Sequence, residues 1–379
     1  MKFRIIVKIG VALSILLFCI AVGLYSFASL KEAGKGKNFD LYSMIPDDCY
    51  GILDTDNIDY YINEFTRMSY AKHDSLTRYS DVMMGFLNDF DDFTSLSPHG
   101  IANIVSRIVL SIHDDGFSNR DVIAYFKVGE HGKKDLFDLL YRKYDSDIVV
   151  KSEKYRGKQV DIYSLGKTPK FLSVYSGDGF LAVSYQKRLI DRAIDAMLDN
   201  TSIKNDSVFR KIHSKKSVNY MTFYSREASF PEFTLDESDV WTEFELHMNS
   251  DVIYLSGSMF HPDTYSSELE YRLNNFESLS EDSILVVSGQ DKVDSCISEV
   301  IASPRNSIFK ECISNLSRDA SYIMVADLGK VESNPRKYEG YIPDFIFQNI
   351  EFFRSFVLSL QVTEVNDVFS HIYVFTYKY

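Results

Sequence analysis

Proline is scarce in this chain, with eight residues in 379, and tryptophan occurs once. So little proline excludes a proline-rich linker or recognition tract as a major part of the protein. Cysteine is also sparse: Cys19, Cys49, Cys296 and Cys312 form no C-x-x-C pair. Cys19 lies in an apolar N-terminal run, which leaves an odd number elsewhere and excludes a disulfide-dense scaffold. The eight histidines, at 73, 99, 113, 131, 213, 247, 261 and 371, include no H-E-x-x-H, so zinc has no local signature. No glycine-rich loop suited to phosphate is present, and "GKGK" falls in a linker. Positive charge is short as well. Residues 38–379 hold 35 Lys and Arg against 53 Asp and Glu, a balance that repels phosphates and argues against nucleic-acid or anionic-lipid binding.

What the chain does have is apolar and aromatic mass, 45% hydrophobic with 28 Phe and 25 Tyr, enough for a sizeable core spread over two or three domains. Lys2, Arg4 and Lys8 precede an uncharged stretch from 9 to 30, "IGVALSILLFCIAVGLYSFASL", and Lys31 closes it. That length suffices for a membrane-spanning helix, and the basic flank places the N-terminus in the cytoplasm and the rest outside. A cleaved signal peptide is the alternative, since Ser26 and Ala28 supply a small-x-small site, but its apolar region is usually shorter. Leu17 and Phe18 before Cys19 are too large for a lipoprotein site. The expected organisation is a basic N-terminus (1–8), an anchor (9–30), a linker (31–39), a first α+β unit with a linking meander (40–178), and units at 179–265 and 279–379.

Inside the exported part a pattern recurs: a short apolar strand, a tight turn and an amphipathic helix. "GFLAVSYQKRLIDRAIDAML" carries Leu189, Ile190, Ala193, Ile194, Met197 and Leu198 on one helical face, and "SILVVSGQDKVDSCISEVI" carries Val293, Cys296, Ile297, Val300 and Ile301. "CYGILDTDNIDYYINEF" and "DVIAYFKVGEHGKKDLFDLLYRKY" have the same order. Two copies continue into a helix ("SVFRKI", "SIFKEC"), a strand and a long hairpin, "VWTEFELHMNSDVIYLSGSMF" and "FFRSFVLSLQVTEVNDVFSHIYVFTYKY". "SRIVLSIHDDGFSNRDVIAYFKV" reads as another hairpin, and "KQVDIYSL", "PKFLSVYS" and "GFLAVSY" as a meander joined at "GKT" and "GDG". The fold class expected is α+β: antiparallel sheets with helices packed on one face, built from degenerate strand-helix-hairpin repeats.

The run "YRGKQVDIYSL", "SVYSGDGFLAVSYQKRLIDRAID", a "SVFRKI" helix and "VNYMTFYS" resembles a family of uncharacterised bacterial membrane-anchored envelope proteins, over most of residues 40–379 and most strongly in the middle third. The resemblance implies an N-terminal anchor and an exported α+β domain. It supplies no activity and no site residues.

Candidate chemistry is thin. Asp54, Asp56 and Asp59 in "DTDNID", and Asp89, Asp91 and Asp92 in "NDFDDF", have carboxylate spacings that hint at calcium, without the glycine and final glutamate of an EF-hand loop. A helix N-cap at Asp56 or Asn57 is the simpler reading of the first. "HDD" at 113–115 reads as turn chemistry. Ser69 and Lys72, like Ser307 and Lys310, match S-x-x-K, but "KTP" stands where envelope acyltransferases need K-T-G. Asp-Ser-aliphatic triplets at 74–76, 206–208 and 282–284 resemble an O-glycosylation pattern at near-chance frequency. Cys296 and Cys312 fall on apolar helix faces and read as core, with a bridge between them left open. The expectation is a non-enzymatic binding or structural component of the cell envelope, in the inner membrane with its C-terminal domain in the periplasm. It would meet the membrane through its helix and another envelope protein through its domain, without a cofactor. The alternatives are a glycan- or lipid-modifying enzyme with carboxylates from distant segments, and a carrier of a hydrophobic ligand. Function would reside in 144–178, 225–239 and 329–351, which the copies do not share.

Overall fold

The computed structural model describes residues 39–57, 105–113, 122–129, 148–164, 171–213, 221–226, 240–249, 251–261, 266–304, 307–347, 350–365 and 368–378, with Lys134, Phe137 and Asp138. Residues 9–30 lie outside them. Among the described residues no helix is long and apolar enough to cross a membrane.

Alternation dictates the longest strands. In β15 (Val368–Tyr377) Phe369, His371, Tyr373 and Phe375 are buried while Ser370, Ile372 and Val374 are half-exposed. It pairs over its whole length with β14 (Phe356–Val365), as the sequence predicts. β9 (Trp241–Met248) and β10 (Val252–Phe260), β2 (Val105–Ile112) and β3 (Val122–Val128) are likewise antiparallel partners. β5 (Lys158–Ser164), β6 (Phe171–Gly177) and β7 (Phe180–Ser184) form the expected meander. Before it comes β4 (Val149–Tyr155), whose tight turn to β5 has positive φ at both Arg156 and Gly157, the geometry of a two-residue type I′ hairpin.

With β1 (Gly51–Thr55), β8 (Met221–Ser225), β11 (Leu279–Ser280), β12 (Ile284–Ser288) and β13 (Tyr322–Asp327), these strands make one sheet. Its order is β11-β12-β13-β14-β15-β10-β9-β8-β1-β2-β3-β7-β6-β5-β4, antiparallel throughout. β10 and β15 pair over eight residues, so the stretches 179–265 and 279–379 share a ladder. β12 lies next to β13, whereas β7 is separated from β8 by β3, β2 and β1. The likeness between these stretches is therefore in element order; β1 takes beside β8 the place that β12 takes beside β13.

Helices cover both faces at the β12–β14 end, which corrects the expectation of helices on one face. Leu285, Val287, Ile323, Val325 and Val357 pack against α4 (Gln290–Ala302) and α5 (Ile308–Ser314). Their strand neighbours Ile284, Val286, Met324, Leu358 and Leu360 pack against α3 (Ser266–Asn275) and α6 (Leu328–Glu332). The physical signal was present: "ILVVS" and "YIMVA" are apolar without alternation, as strands buried on both sides must be. At the other end α1 (Lys187–Asp199) buries Leu189, Ile190, Ala193 and Ile194 against Val160, Tyr175 and Ala182. It ends at Asn200, whose left-handed φ of 57° lets its N–H return to the Ala196 carbonyl. Beside it, α2 (Phe209–His213) sets Phe209 between Tyr224 and Trp241.

Where the halves meet, β9 and β10 stop pairing. Their ladder joins Ser256 with Glu245 and resumes at Met259 with Thr242, skipping Gly257 and Ser258. His371 lies opposite Gly257 on β15 and reaches across it, its Nε2 2.9 Å from the carbonyl oxygen of Glu243. A Cβ on residue 257 would sit 2.0 Å from that oxygen, so only glycine fits. A carbonyl accepts only, so Nε2 carries the proton and Nδ1 is bare; Nδ1 is buried without a hydrogen-bond partner among the described residues.

Burial holds the His371 pKa down at about 3, opposed by the hydrogen bond to Glu243. The unfolded chain therefore takes up a proton below about pH 6.5 that the folded chain refuses, and stability falls as pH drops from there towards 3. Chemical denaturation at pH 7.5 and at pH 5 will show a smaller loss in His371→Phe than in the parent; an equal loss would remove His371 from the acid response.

Candidate binding cleft

The calcium candidates divide. Asp54 is fully buried on β1, where Arg107 Nε donates to Oδ1 at 2.8 Å, the Arg107 Nη2 pairs with Oδ2 and the Tyr42 hydroxyl donates to Oδ2 at 2.6 Å. Its oxygens are committed to a buried ion pair, and the guanidinium also stands 5.6 Å from the centre of the Tyr42 ring. Burial, then the Asp54 charge, pushes the Tyr42 phenol well above its ordinary range, so it stays protonated as the donor this site needs. Asp56 is exposed past the end of β1, its carboxyl raised by partial desolvation and then by Asp54. Asp59, Asp89, Asp91 and Asp92 lie outside the described residues. Among the described residues no three His, Cys, Asp or Glu side chains are grouped so as to hold a metal.

The described cysteines, Cys49, Cys296 and Cys312, are free. Cys49 is fully buried with its thiol pushed up to about 12 by desolvation, and Cys296 and Cys312 are raised for the same reason. All three resist becoming thiolates, as core cysteines do. Ser307 caps α5, accepting from the Lys310 N–H, and Asp206 holds the first turn of α2 through the Val208 and Phe209 N–H groups. Each is explained by helix-end hydrogen bonding.

Sequence reasoning did not anticipate the line Ser111, His113, Asp48. Ser111 Oγ is 2.7 Å from His113 Nε2, and His113 Nδ1 is 3.6 Å from Asp48, which pairs with Arg192. The connectivity is that of a nucleophile, base and acid. Ser111 is nevertheless fully buried, next to the last residue of β2, laddered to Ile52 on one side and Ile123 on the other. Its Oγ also lies 3.4 Å from the buried Tyr125 hydroxyl, so the serine is held in the core. The line pins the 46–49 segment to the sheet.

Among the described residues a cleft of about 810 Å³ opens beside α1, lined by Phe39, Gly157, Lys158, Gln159, Asp161, Tyr175, Ser176, Gly177, Asp178, Phe180 and Met197. It exists because β5 and β6 splay. Their ladder ends at Val160 with Tyr175, leaving Lys158-Gln159 and Ser176-Gly177 without each other as partners. Phe180 fills the space beside Gly177, where a Cβ would lie 2.5 Å from its ring; Phe39 stacks on it at 4.1 Å and Tyr175 meets it edge-on at 5.5 Å. The floor is thus a fixed aromatic group, with Phe39 half-exposed. On the wall, Asp161 Oδ1 accepts from Ser152 Oγ at 2.7 Å and Gln159 Nε2 at 2.8 Å, which orients the carboxylate and leaves Oδ2 for a ligand. Desolvation raises the Tyr175 pKa, keeping the phenol a donor, and its hydroxyl has no hydrogen-bond partner among the described residues. A fixed carboxylate, a phenol donor, an ammonium at Lys158 and an aromatic face suit a polyhydroxylated ligand, and the volume is within the roughly 300–1,000 Å³ of small-ligand sites.

No protein-family model, curated protein or solved structure matches this chain.

Asp54→Asn leaves the half-buried Arg107 charge without its counterion and will lower unfolding free energy by about 1–3 kcal/mol. Replacing both partners by apolar residues, Asp54→Leu with Arg107→Met, will cost less than the single change. Denaturant unfolding of Asp54→Asn, Asp54→Leu, Arg107→Met and the Leu/Met double variant checks this; a double variant as unstable as the sum of Asp54→Leu and Arg107→Met would mean that the residues act separately.

Proposed function

We propose that this chain is an exported, membrane-anchored binding protein of the bacterial cell envelope, whose cleft between β5 and β6 holds a saccharide unit. The observation that carries the reading is the cleft: an aromatic floor of Phe39 and Phe180 beside the oriented Asp161 carboxylate and the Tyr175 hydroxyl. Sugars present an apolar face to a ring and hydroxyls to carboxylates; here the rings stand on the α1 face of the sheet and Asp161 on the opposite face, with the gap between the parted strands joining them. The basic flank and apolar run at 2–31 support the anchor, and the acidic balance of 38–379 suits a neutral or amine-bearing ligand better than a phosphorylated one. The likeness between 179–265 and 279–379 fits a scaffold of degenerate repeats, with the cleft largely in the meander that the copies do not share.

The test is titration of the detergent-solubilised full chain with soluble fragments of envelope glycan, followed by calorimetry. Asp161→Asn and Tyr175→Phe will each weaken binding by roughly tenfold, the range for losing a hydrogen bond to a charged or buried group. Unchanged affinity in both variants, or no heat with any fragment, would sink the cleft as the site. Export is read separately, from a C-terminal reporter that matures only outside the cytoplasm.

A further inference from the structure

The two ends of the sheet differ. Among the described residues, one end is closed by β11, two residues long, whereas the other ends in β4, seven residues with no described strand on its outer side. β4 is exposed over most of its length, with Val149 at 69% and Val150 at 41% of their full exposure. It is also held in place. Tyr155 donates to Asp195 on α1 at 2.8 Å, and Arg156 in the adjoining turn pairs with Asp195 and Asp199 at 2.7 and 2.6 Å.

The type I′ turn fixes which groups point outward. Its flanking residues, Tyr155 and Lys158, exchange both hydrogen bonds, and the pattern alternates along an antiparallel ladder. Glu153, Lys151 and Val149 therefore bond inward to β5, while the N–H and C=O groups of Lys154, Ser152 and Val150 face away from the sheet.

We infer that β4 pairs with β4 of a second copy of this chain, antiparallel about a two-fold axis at Ser152. The register follows from the outward groups. Ser152 faces its own equivalent, Val150 faces Lys154 of the other copy, and each outward N–H finds a carbonyl. The same register sets Lys151 opposite Glu153 of the partner strand, twice by symmetry, at the closely spaced positions where side chains interact most. Within one chain Lys151 and Glu153 already lie 2.7 Å apart on one face of β4, so pairing two copies creates a four-membered alternating charge cluster. Lysines on an edge strand ordinarily deter strand addition. Here they deter strands that lack a matching carboxylate and admit this one, so the occupant is a second copy rather than an arbitrary extended peptide. The contact is isologous, as two-fold dimers require. It is independent of what the cleft binds.

The test is sedimentation of the detergent-solubilised full chain over a range of concentrations. The parent will show a monomer–dimer equilibrium. Lys151→Glu and Glu153→Lys, each of which sets like charges opposite one another, will weaken it by tenfold or more, and the exchange K151E with E153K will restore it. Ser152→Cys will crosslink to a covalent dimer on mild oxidation, because paired Cα atoms about 5.5 Å apart lie within disulfide reach. Circular dichroism confirms that these exposed positions leave the fold unchanged. A parent that stays monomeric at every concentration, a charge exchange that fails to restore dimerisation, or a Ser152→Cys variant that does not crosslink would overturn the inference.

Discussion

One side-chain hydrogen bond bridges the gap in the β9–β10 ladder near the centre of the sheet. The two strands stop pairing over Gly257 and Ser258 although their backbones stay close, and the imidazole of His371 supplies a donor to the Glu243 carbonyl. Three conditions have to hold together: a glycine at 257, a neutral histidine protonated at Nε2, and the β10–β15 register that sets His371 opposite Gly257. Phe244 and Tyr373, with ring centres 4.7 and 5.6 Å from the imidazole, wall it from water and keep it neutral. A buried backbone acceptor without a donor costs on the order of 1–3 kcal/mol, so the ring replaces a missing ladder bond rather than adding a new one.

A similar economy governs the charged groups inside the fold. Asp54 is tied to Arg107 and Tyr42, Asp48 to Arg192, and Asp206 to the first turn of α2 and to the indole N–H of Trp241 at 3.3 Å. Each joins the chain near the start of the described region, or the loop before α2, to an element far away in sequence: Asp54 to β2, Asp48 to α1 and Asp206 to β9. Together these contacts fix the face on which α1 and α2 lie, and so the position of Phe39 and Phe180 at the cleft.

Much of this was legible in the residues. The hairpins of β2–β3, β9–β10 and β14–β15 and the β5–β7 meander follow from alternation and turn residues, which act locally. Double-sided burial at β12 and β13 was legible in principle from unbroken apolar runs, but "SILVVS" reads equally well as the lead-in to a repeated helix. Pairing order was not legible: "GFLAVS" and "SILVVS" look alike, yet β1 displaces β7 from the place beside β8, a choice made by contacts remote in sequence. The carboxylate spacing of "DTDNID" is compatible with a cation or an ion pair, and only the arrival of Arg107 from β2 decides how Asp54 is used. The cleft depends on where a ladder stops, and no residue between 158 and 177 announces that β5 and β6 are parted before Val160 and beyond Tyr175.

The two-residue β11 has a consequence for growth of the sheet. A long antiparallel sheet with two open ends can extend indefinitely by adding copies, the route to fibres. This sheet has one end long enough to accept a strand and another that is nearly spent, so any addition at β4 uses up the extendable edge and leaves only stubs outside. The molecule is a ladder that can be lengthened once.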